Sequence, residues 1–105
     1  MIVQFEKEYL KELFEKGKTS DKHQRFQPQV IRKYILRVMT LKDAPNIEAL
    51  YSLNSLHYEV LSGEKAGIYS IRIDSKYRLE FIVSVEEGEP KLTICRLIDI
   101  SNHYK

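Results

Sequence analysis

The chain has 105 residues, of which 43% are hydrophobic and 30% are charged, and its formal net charge is +2. A chain of this length buries one core without disulfides or metals, so we predict a single domain spanning residues 1–105. The single cysteine, Cys95, excludes an internal disulfide and a thiolate metal cluster, which favours a reducing compartment. No apolar run is long enough to cross a membrane, and Glu6 comes too early for a signal peptide. We therefore expect a cytoplasmic protein without a membrane partner.

Positive charge is concentrated between residues 16 and 42. This segment holds eight basic residues against one acid, Asp21, whereas residues 44–105 hold seven basic and nine acidic residues. A basic segment on an otherwise balanced domain favours a polyanionic partner such as RNA. An ordinary solvated helix face would have a similar composition, so both interpretations stay open.

Two amphipathic helices are predicted in the first half of the chain, after an opening strand at Ile2–Phe5. The first helix spans Glu6–Lys16, where an apolar stripe recurs at helical spacing and Gly17 supplies the stop. The second begins at Pro28, a residue suited to the first helical turn, and ends before Pro45. Two helices joined by a short link are expected to pack as an antiparallel pair on a sheet.

The second half of the chain changes to the period-two pattern of half-buried strands. After a short helical turn capped by Asn46, strands are predicted at Leu56–Ser62, Gly67–Ile73, Tyr77–Val85 and Lys91–Ile100. The last of these is an apolar run suited to a central strand buried on both sides. We therefore predict a two-layer α+β domain, in which the helix pair packs on an antiparallel sheet of about four strands.

The two middle strands are expected to form a β-hairpin whose register follows from their apolar faces. A three-residue loop at 74–76 keeps the apolar residues of both strands on one face, whereas a two-residue loop would oppose apolar and polar sets. On the other face this register places Arg72 directly across from Arg78. Opposed like charges destabilise a sheet, so either an anion such as a phosphate lies over the pair or Glu80 and solvent neutralise it.

Familiar catalytic and metal-binding motifs are missing from the sequence. There is no glycine-rich phosphate loop and no nucleophile elbow, and the three histidines lack the spacing of a zinc site, so we expect no metal. What remains is a set of side chains suited to a phosphodiester, although each of them also fits a structural or solvated role. The set comprises His57 and His103 for proton transfer, Arg72 and Arg78 for the phosphate, and Tyr104 for stacking or hydrogen bonding. RNA supplies its own nucleophile, the 2′-hydroxyl, so a base, an acid and positive charge would suffice.

Three pieces of the second half of the chain occur together: the run Leu56–Gly63, a hairpin reading Tyr-Ser-Ile-Arg-Ile and then Tyr-Arg-Leu-Glu-Phe, and the ending Asn102–Lys105. Together they resemble the HigB-type branch of the RelE/ParE toxin superfamily, also called plasmid maintenance system killer proteins. The resemblance implies a type II toxin–antitoxin toxin, a ribosome-dependent endoribonuclease that cleaves mRNA without a metal or cofactor. It also implies two kinds of partner, the ribosome with its mRNA and a cognate antitoxin, for which we expect a small helix-turn-helix protein.

Carried over residue by residue, the resemblance matches His57 to the histidine that opens the family's His-to-Gly strand, and the two hairpin arginines to Arg72 and Arg78. The family often has a lysine before the glycine, where this chain has Ser62. Its best-known members end in Asp-Tyr-His, whereas this chain ends in Asn-His-Tyr, so base and acid stay unassigned and Asp99 is an alternative contributor. Basic residues expected to contact RNA are Lys65, Arg32, Lys33 and Arg37.

Two other functions remain open at this point. One is a non-enzymatic toxin on the same scaffold, resembling the ParE branch that inhibits DNA gyrase by binding, although the positions of His57 and His103 argue against it. The other is an inert binding or decayed toxin module, which the reordered ending of the chain would fit.

Overall fold

A computed structural model describes residues 1–102, which form a layer of two helices packed on a five-stranded sheet. The helices are α1 (Glu8–Lys16) and α2 (Pro28–Asp43), and the strands are β1 (Ile2–Phe5), β2 (Glu59–Val60), β3 (Tyr69–Arg72), β4 (Tyr77–Glu86) and β5 (Leu92–Asn102). Three short 3₁₀ helices lie at Ile47–Leu50, Asn54–Leu56 and Gly63–Lys65. The predicted α+β class and the helix pair are confirmed. Within residues 1–102 no helix is both long and apolar enough to span a membrane.

The two helices form at the predicted segments, although α1 begins at Glu8 and not at the predicted Glu6. Helix α1 ends at Gly17, whose φ of 73° places it in the left-handed region that glycine adopts without strain. Helix α2 begins with Pro28 in its first turn, as expected. The hydroxyl of Tyr34 donates a hydrogen bond of 2.7 Å to the carbonyl of Leu10, which joins the two helices inside the core.

The core lies between the helix layer and the sheet. Its fully buried large side chains include Leu10, Leu13, Tyr34, Val38, Leu41, Ile71, Leu79, Phe81 and Leu97. Full burial of each such side chain stabilises the fold by roughly 1.5–3 kcal/mol before conformational entropy is counted.

The sheet differs from the prediction of about four antiparallel strands in the number of strands and in the direction of one pair. Its order is β1-β5-β4-β3-β2, and β1 pairs with β5 in parallel, so the sheet is mixed and has five strands. The parallel pairing is possible because the chain passes through both helices between these two strands. Strand β5, predicted to be central, lies in the interior of the sheet between β1 and the middle strand β4. It is not buried on both sides, because Arg96 is exposed and pairs with Glu6 at 3.1 Å.

The hairpin of β3 and β4 has the predicted register. Arg72 lies opposite Arg78, and the loop comprises residues 74–76. A loop of this length usually requires a glycine in the left-handed conformation, which this one lacks. Instead, the Asp74 carboxylate accepts hydrogen bonds of 2.8 Å from the backbone nitrogens of Lys76 and Tyr77, and this local turn closes the hairpin.

The strand predicted at Leu56–Ser62 is present but shorter than predicted, because only Glu59–Val60 pairs with β3. The preceding residues turn into a 3₁₀ helix, and Leu56 at its end is buried in the core. His57 follows with a φ of 45°, and it is the one non-glycine residue with positive φ among residues 1–102. The backbone therefore bends at His57 before the short edge strand begins.

Candidate active site

An open cleft of about 660 Å³ lies between α2, the bend at His57 and the loop between β3 and β4. The residues that line it are Gln29, Lys33, Leu36, Arg37, Ser55, His57, Arg72, Ile73, Asp74 and Ser75. Three lysine or arginine side chains and one carboxylate thus share the cleft, and that carboxylate is engaged by two backbone amides. The cleft suits an anionic ligand.

His57 and Arg72 form the centre of this cleft. Nη1 of Arg72 lies 3.4 Å from Nε2 of His57, and the imidazole is exposed to solvent. The guanidinium is half-buried, and its Nε donates a hydrogen bond of 3.0 Å to the carbonyl of Asp74, which fixes its direction. An imidazole and a guanidinium of fixed direction therefore lie side by side at the surface.

Helix α2 adds charge to the same place. Nε of Arg37 donates a hydrogen bond of 2.7 Å to the carbonyl of Arg72, which ties the helix to the end of β3. Burial and the neighbouring charge of Arg72 lower the pKa of Arg37, but a guanidinium remains protonated in proteins. Lys33 lies one helical turn earlier and also lines the cleft.

Arg78 lies beneath the cleft, where it contacts protein groups. Arg78 is only 5% exposed. Its Nε donates a hydrogen bond of 2.5 Å to Ser70 Oγ, and its Nη2 donates to the carbonyls of His57 and Ser70. Glu59 approaches the same nitrogen at 3.8 Å. Burial lowers the pKa of Arg78, and the Glu59 carboxylate opposes that shift. The register across the hairpin is as predicted, but Arg78 braces the backbone of His57 and does not line the cleft beside Arg72.

The predicted RNA-contacting lysines and arginines separate into two groups. Lys33 and Arg37 line the cleft, whereas Arg32 is exposed on α2 and does not. Lys65 pairs with the buried carboxylate of Glu80 at 2.8 Å, away from the cleft lining. The direct ion-pair partner of Glu80 is therefore Lys65, and the Glu80 charge also acts on one of the two opposed arginines, Arg78.

The end of the chain is only partly described. Asp99 accepts a hydrogen bond from the hydroxyl of the buried residue Tyr9 in α1, and it pairs at 3.5 Å with Lys7, the residue before this helix. It does not line the cleft. Strand β5 ends at Asn102 opposite Tyr77. The predicted site residues His103 and Tyr104 lie outside the described residues. Among residues 1–102 no group of three histidine, cysteine or carboxylate side chains is placed to hold a metal ion.

Several residues of the cleft were missing from the sequence prediction. Asp74 and Ser75 belong to the hairpin loop, and Gln29 and Leu36 lie on the side of α2 that faces it. The sequence showed that the loop is polar. It did not show that the loop lies beside α2, because this depends on the contact between Arg37 and Arg72, which are 35 positions apart.

A solved structure with the same fold is a YoeB/ParE toxin from Agrobacterium tumefaciens, with a TM-score of 0.61 and 20% identity, covering 99% of this chain and 100% of that one. A comparison with curated proteins gave no match.

The family model for the HigB-like toxin, described as the RelE-like toxin of the type II toxin–antitoxin system HigB, matches residues 3–90. The chain therefore belongs to the HigB-like toxin family, and it is the toxin of a type II toxin–antitoxin system, for which the family implies an antitoxin partner.

Proposed function

We propose that this toxin is an endoribonuclease that cleaves mRNA on the ribosome, without a metal ion, by using the substrate's own 2′-hydroxyl as the nucleophile. The observation that carries the proposal is the exposed His57 imidazole 3.4 Å from the Arg72 guanidinium in a basic cleft. Membership of the HigB-like family supports it further.

In this reaction the 2′-oxygen attacks the adjacent phosphorus while the bond from phosphorus to the 5′-oxygen breaks. The products are a 2′,3′-cyclic phosphate and a free 5′-hydroxyl. One group takes the proton of the 2′-hydroxyl and another gives a proton to the leaving oxygen. We assign one of these roles to His57. The second proton-transfer role remains a prediction for His103 or Tyr104. Which residue acts as base and which as acid is left open by the sequence.

The negative charge that grows on the phosphate oxygens is met by the cations of the cleft. Arg72 lies closest to the imidazole, and a guanidinium donates two parallel hydrogen bonds to a phosphate. Arg37 and Lys33 add charge from α2. Such fixed charges stabilise a developing anion without having to reorganise. We expect most of the rate enhancement to come from this electrostatic stabilisation.

Induced expression of the toxin should stop growth and produce cuts within translated mRNA. The His57→Ala and Arg72→Ala variants should each abolish the cuts, whereas Arg96→Ala, an exposed arginine of β5 outside the cleft, should leave them unchanged. Toxicity that survives both cleft variants and is accompanied by a DNA damage response would instead favour inhibition of gyrase by binding.

The partners within the proposal are the translating ribosome and a helix-turn-helix antitoxin. Cleavage of the same mRNA with and without purified ribosomes tests the first of these. The reading frame next to the toxin gene tests the second, and a neighbour without a helix-turn-helix pattern would remove that part of the proposal.

A further inference from the structure

A second, smaller hollow of about 260 Å³ shares His57 with the cleft. It is lined by Leu50, Tyr51, Leu53, Asn54, His57 and Tyr58. None of these side chains carries a permanent charge, so the hollow differs in character from the basic cleft, which His57 also lines.

A row of aromatic rings leads from the core to this hollow. Phe81 is fully buried and stacks on Tyr69 with ring centroids 5.9 Å apart, Tyr69 packs on Tyr58 at 5.9 Å, and Tyr58 packs on Tyr51 at 5.1 Å. Tyr51 is the last ring of the row and is 57% exposed. One buried ring and two half-buried rings therefore support an aromatic surface that is open to solvent beside His57.

Asn54 adds an amide to the tyrosine hydroxyls and the imidazole that line the hollow. The exposed Asn54 side chain makes no hydrogen bond within residues 1–102, so both its donor and its acceptor are available to a ligand. Leu53, 42% exposed, adds apolar surface beside it. An exposed aromatic ring and a free amide suit a flat, uncharged heteroaromatic group with hydrogen-bonding edges.

We propose that this hollow is a nucleobase subsite, in which the base next to the scissile phosphate stacks on Tyr51 and the Asn54 amide contacts the base edge. The proposal rests on the proposed function in taking the basic cleft as the site of the phosphate. His57 would then lie between the base and the phosphate of one nucleotide step. Stacking provides affinity for any base, and the amide provides preference among bases.

The test is an NMR titration of the toxin with 2′-O-methyl dinucleoside monophosphates, which carry two bases and one phosphate but lack the attacking hydroxyl. We expect ring-current shifts of the Tyr51 ring signals, which are identified by their loss in Tyr51→Phe, and shifts of the Asn54 amide with the same Kd. Ribose 5-phosphate, which has no base, should leave both unmoved.

Variants separate stacking from general binding. Tyr51→Phe keeps the ring and should hold the Kd of the dinucleotide within about twofold, whereas Tyr51→Ala should raise it about fivefold or more. Val85→Ala changes an exposed apolar residue of β4 away from both hollows and should have no effect.

The nucleobase subsite is overturned if dinucleotides shift only the Arg72 and Arg37 signals, if they shift nothing, or if Tyr51→Ala binds as well as the wild type. Tyr51 signals that respond to the antitoxin but to no dinucleotide would overturn it too, and would assign the exposed rings to a protein interface.

Cleavage of mRNA is measured in parallel. Cleavage without Tyr51 shifts leaves the proposed function standing, and Tyr51 shifts without cleavage leave the subsite standing.

Discussion

Arg78 and Arg72 lie opposite each other in the hairpin and have different surroundings. Arg72 reaches the cleft, whereas Arg78 donates to Ser70 and to the carbonyl of His57 from a buried position. Alternation along the strands placed both arginines on one face correctly. It could not show that the bend at His57 covers one of them, because that contact spans 21 residues. Burial of Arg78 therefore had no signal in the sequence.

Replacement of Arg78 by lysine should destabilise the protein. Lysine keeps the charge, but its single ammonium group cannot replace the planar guanidinium that donates to the Ser70 hydroxyl and to two backbone carbonyls. Some of these buried acceptors would therefore lose their donors. We expect the free energy of unfolding to fall by about 1–3 kcal/mol in urea denaturation, with a matching loss of cleavage as the His57 backbone loosens. Arg96→Lys, on an exposed arginine, is the control and should change stability by less than about 0.5 kcal/mol. Equal stability of Arg78→Lys and the control would contradict the bracing role.

His57 combines a side chain exposed to the cleft with a strained backbone. Its φ of 45° lies in the left-handed region, which costs a residue with a Cβ about 1 kcal/mol and glycine almost nothing. We expect His57→Gly to be more stable than His57→Ala by about 1 kcal/mol, while both lose cleavage. Thermal or urea unfolding of the pair measures this difference. A more stable alanine variant would show that the bend does not constrain this residue.

At the scale of elements, the β3–β4 hairpin and the edge strand behaved differently. The hairpin register followed from apolar alternation on both strands, and the structure has it as predicted. The edge strand was overestimated because Leu56 continues the alternating pattern of residues 56–62 but belongs to a 3₁₀ helix that anchors it in the core. A short pattern of this kind fits either structure, and burial of Leu56 decided between them.

Asp74 closes the hairpin loop with two backbone hydrogen bonds. Asp74→Ala removes both and should lower the free energy of unfolding by about 1–2 kcal/mol. Asp74→Asn keeps an oxygen in the same place and should lose less than half of that. Urea denaturation compares the two, and the prediction is wrong if alanine and asparagine have the same effect.

At the scale of the whole molecule, the two-layer α+β arrangement was predicted because helical and strand periodicities occupy separate halves of the chain. The parallel pairing of β1 with β5 was not predicted, since nothing in a four-residue strand states which neighbour it will take. The cleft was predicted in part. Its central residues His57 and Arg72 were named from the sequence, and its other walls depend on how α2 meets the hairpin loop.

Buried ionisable groups of the core should make the fold sensitive to alkali. Burial raises the pKa of the Cys95 thiol from 9.0 to about 11, and burial also raises the pKa values of Tyr9 and Tyr34. Because the pKa is raised in the folded protein, the Cys95 thiol loses its proton at a lower pH in the unfolded chain than in the folded one. The free energy of unfolding therefore keeps its full value below about pH 9 and falls as the pH rises toward 11. Urea unfolding at pH 7, 9 and 10 should show this fall, with a shallower slope in Cys95→Ala. A constant free energy of unfolding across this range would contradict it.

The central claim is that His57 and Arg72 act together on a phosphodiester in the basic cleft. The most direct test is the single-turnover rate of mRNA cleavage by purified toxin on programmed ribosomes, for wild type, His57→Gly, Arg72→Ala and the control Arg96→Ala. We predict cuts that leave a 5′-hydroxyl, with a rate that falls about a hundredfold or more in each cleft variant and stays unchanged in the control. Cleavage by both cleft variants at the wild-type rate, or products that carry a 5′-phosphate, would contradict the claim.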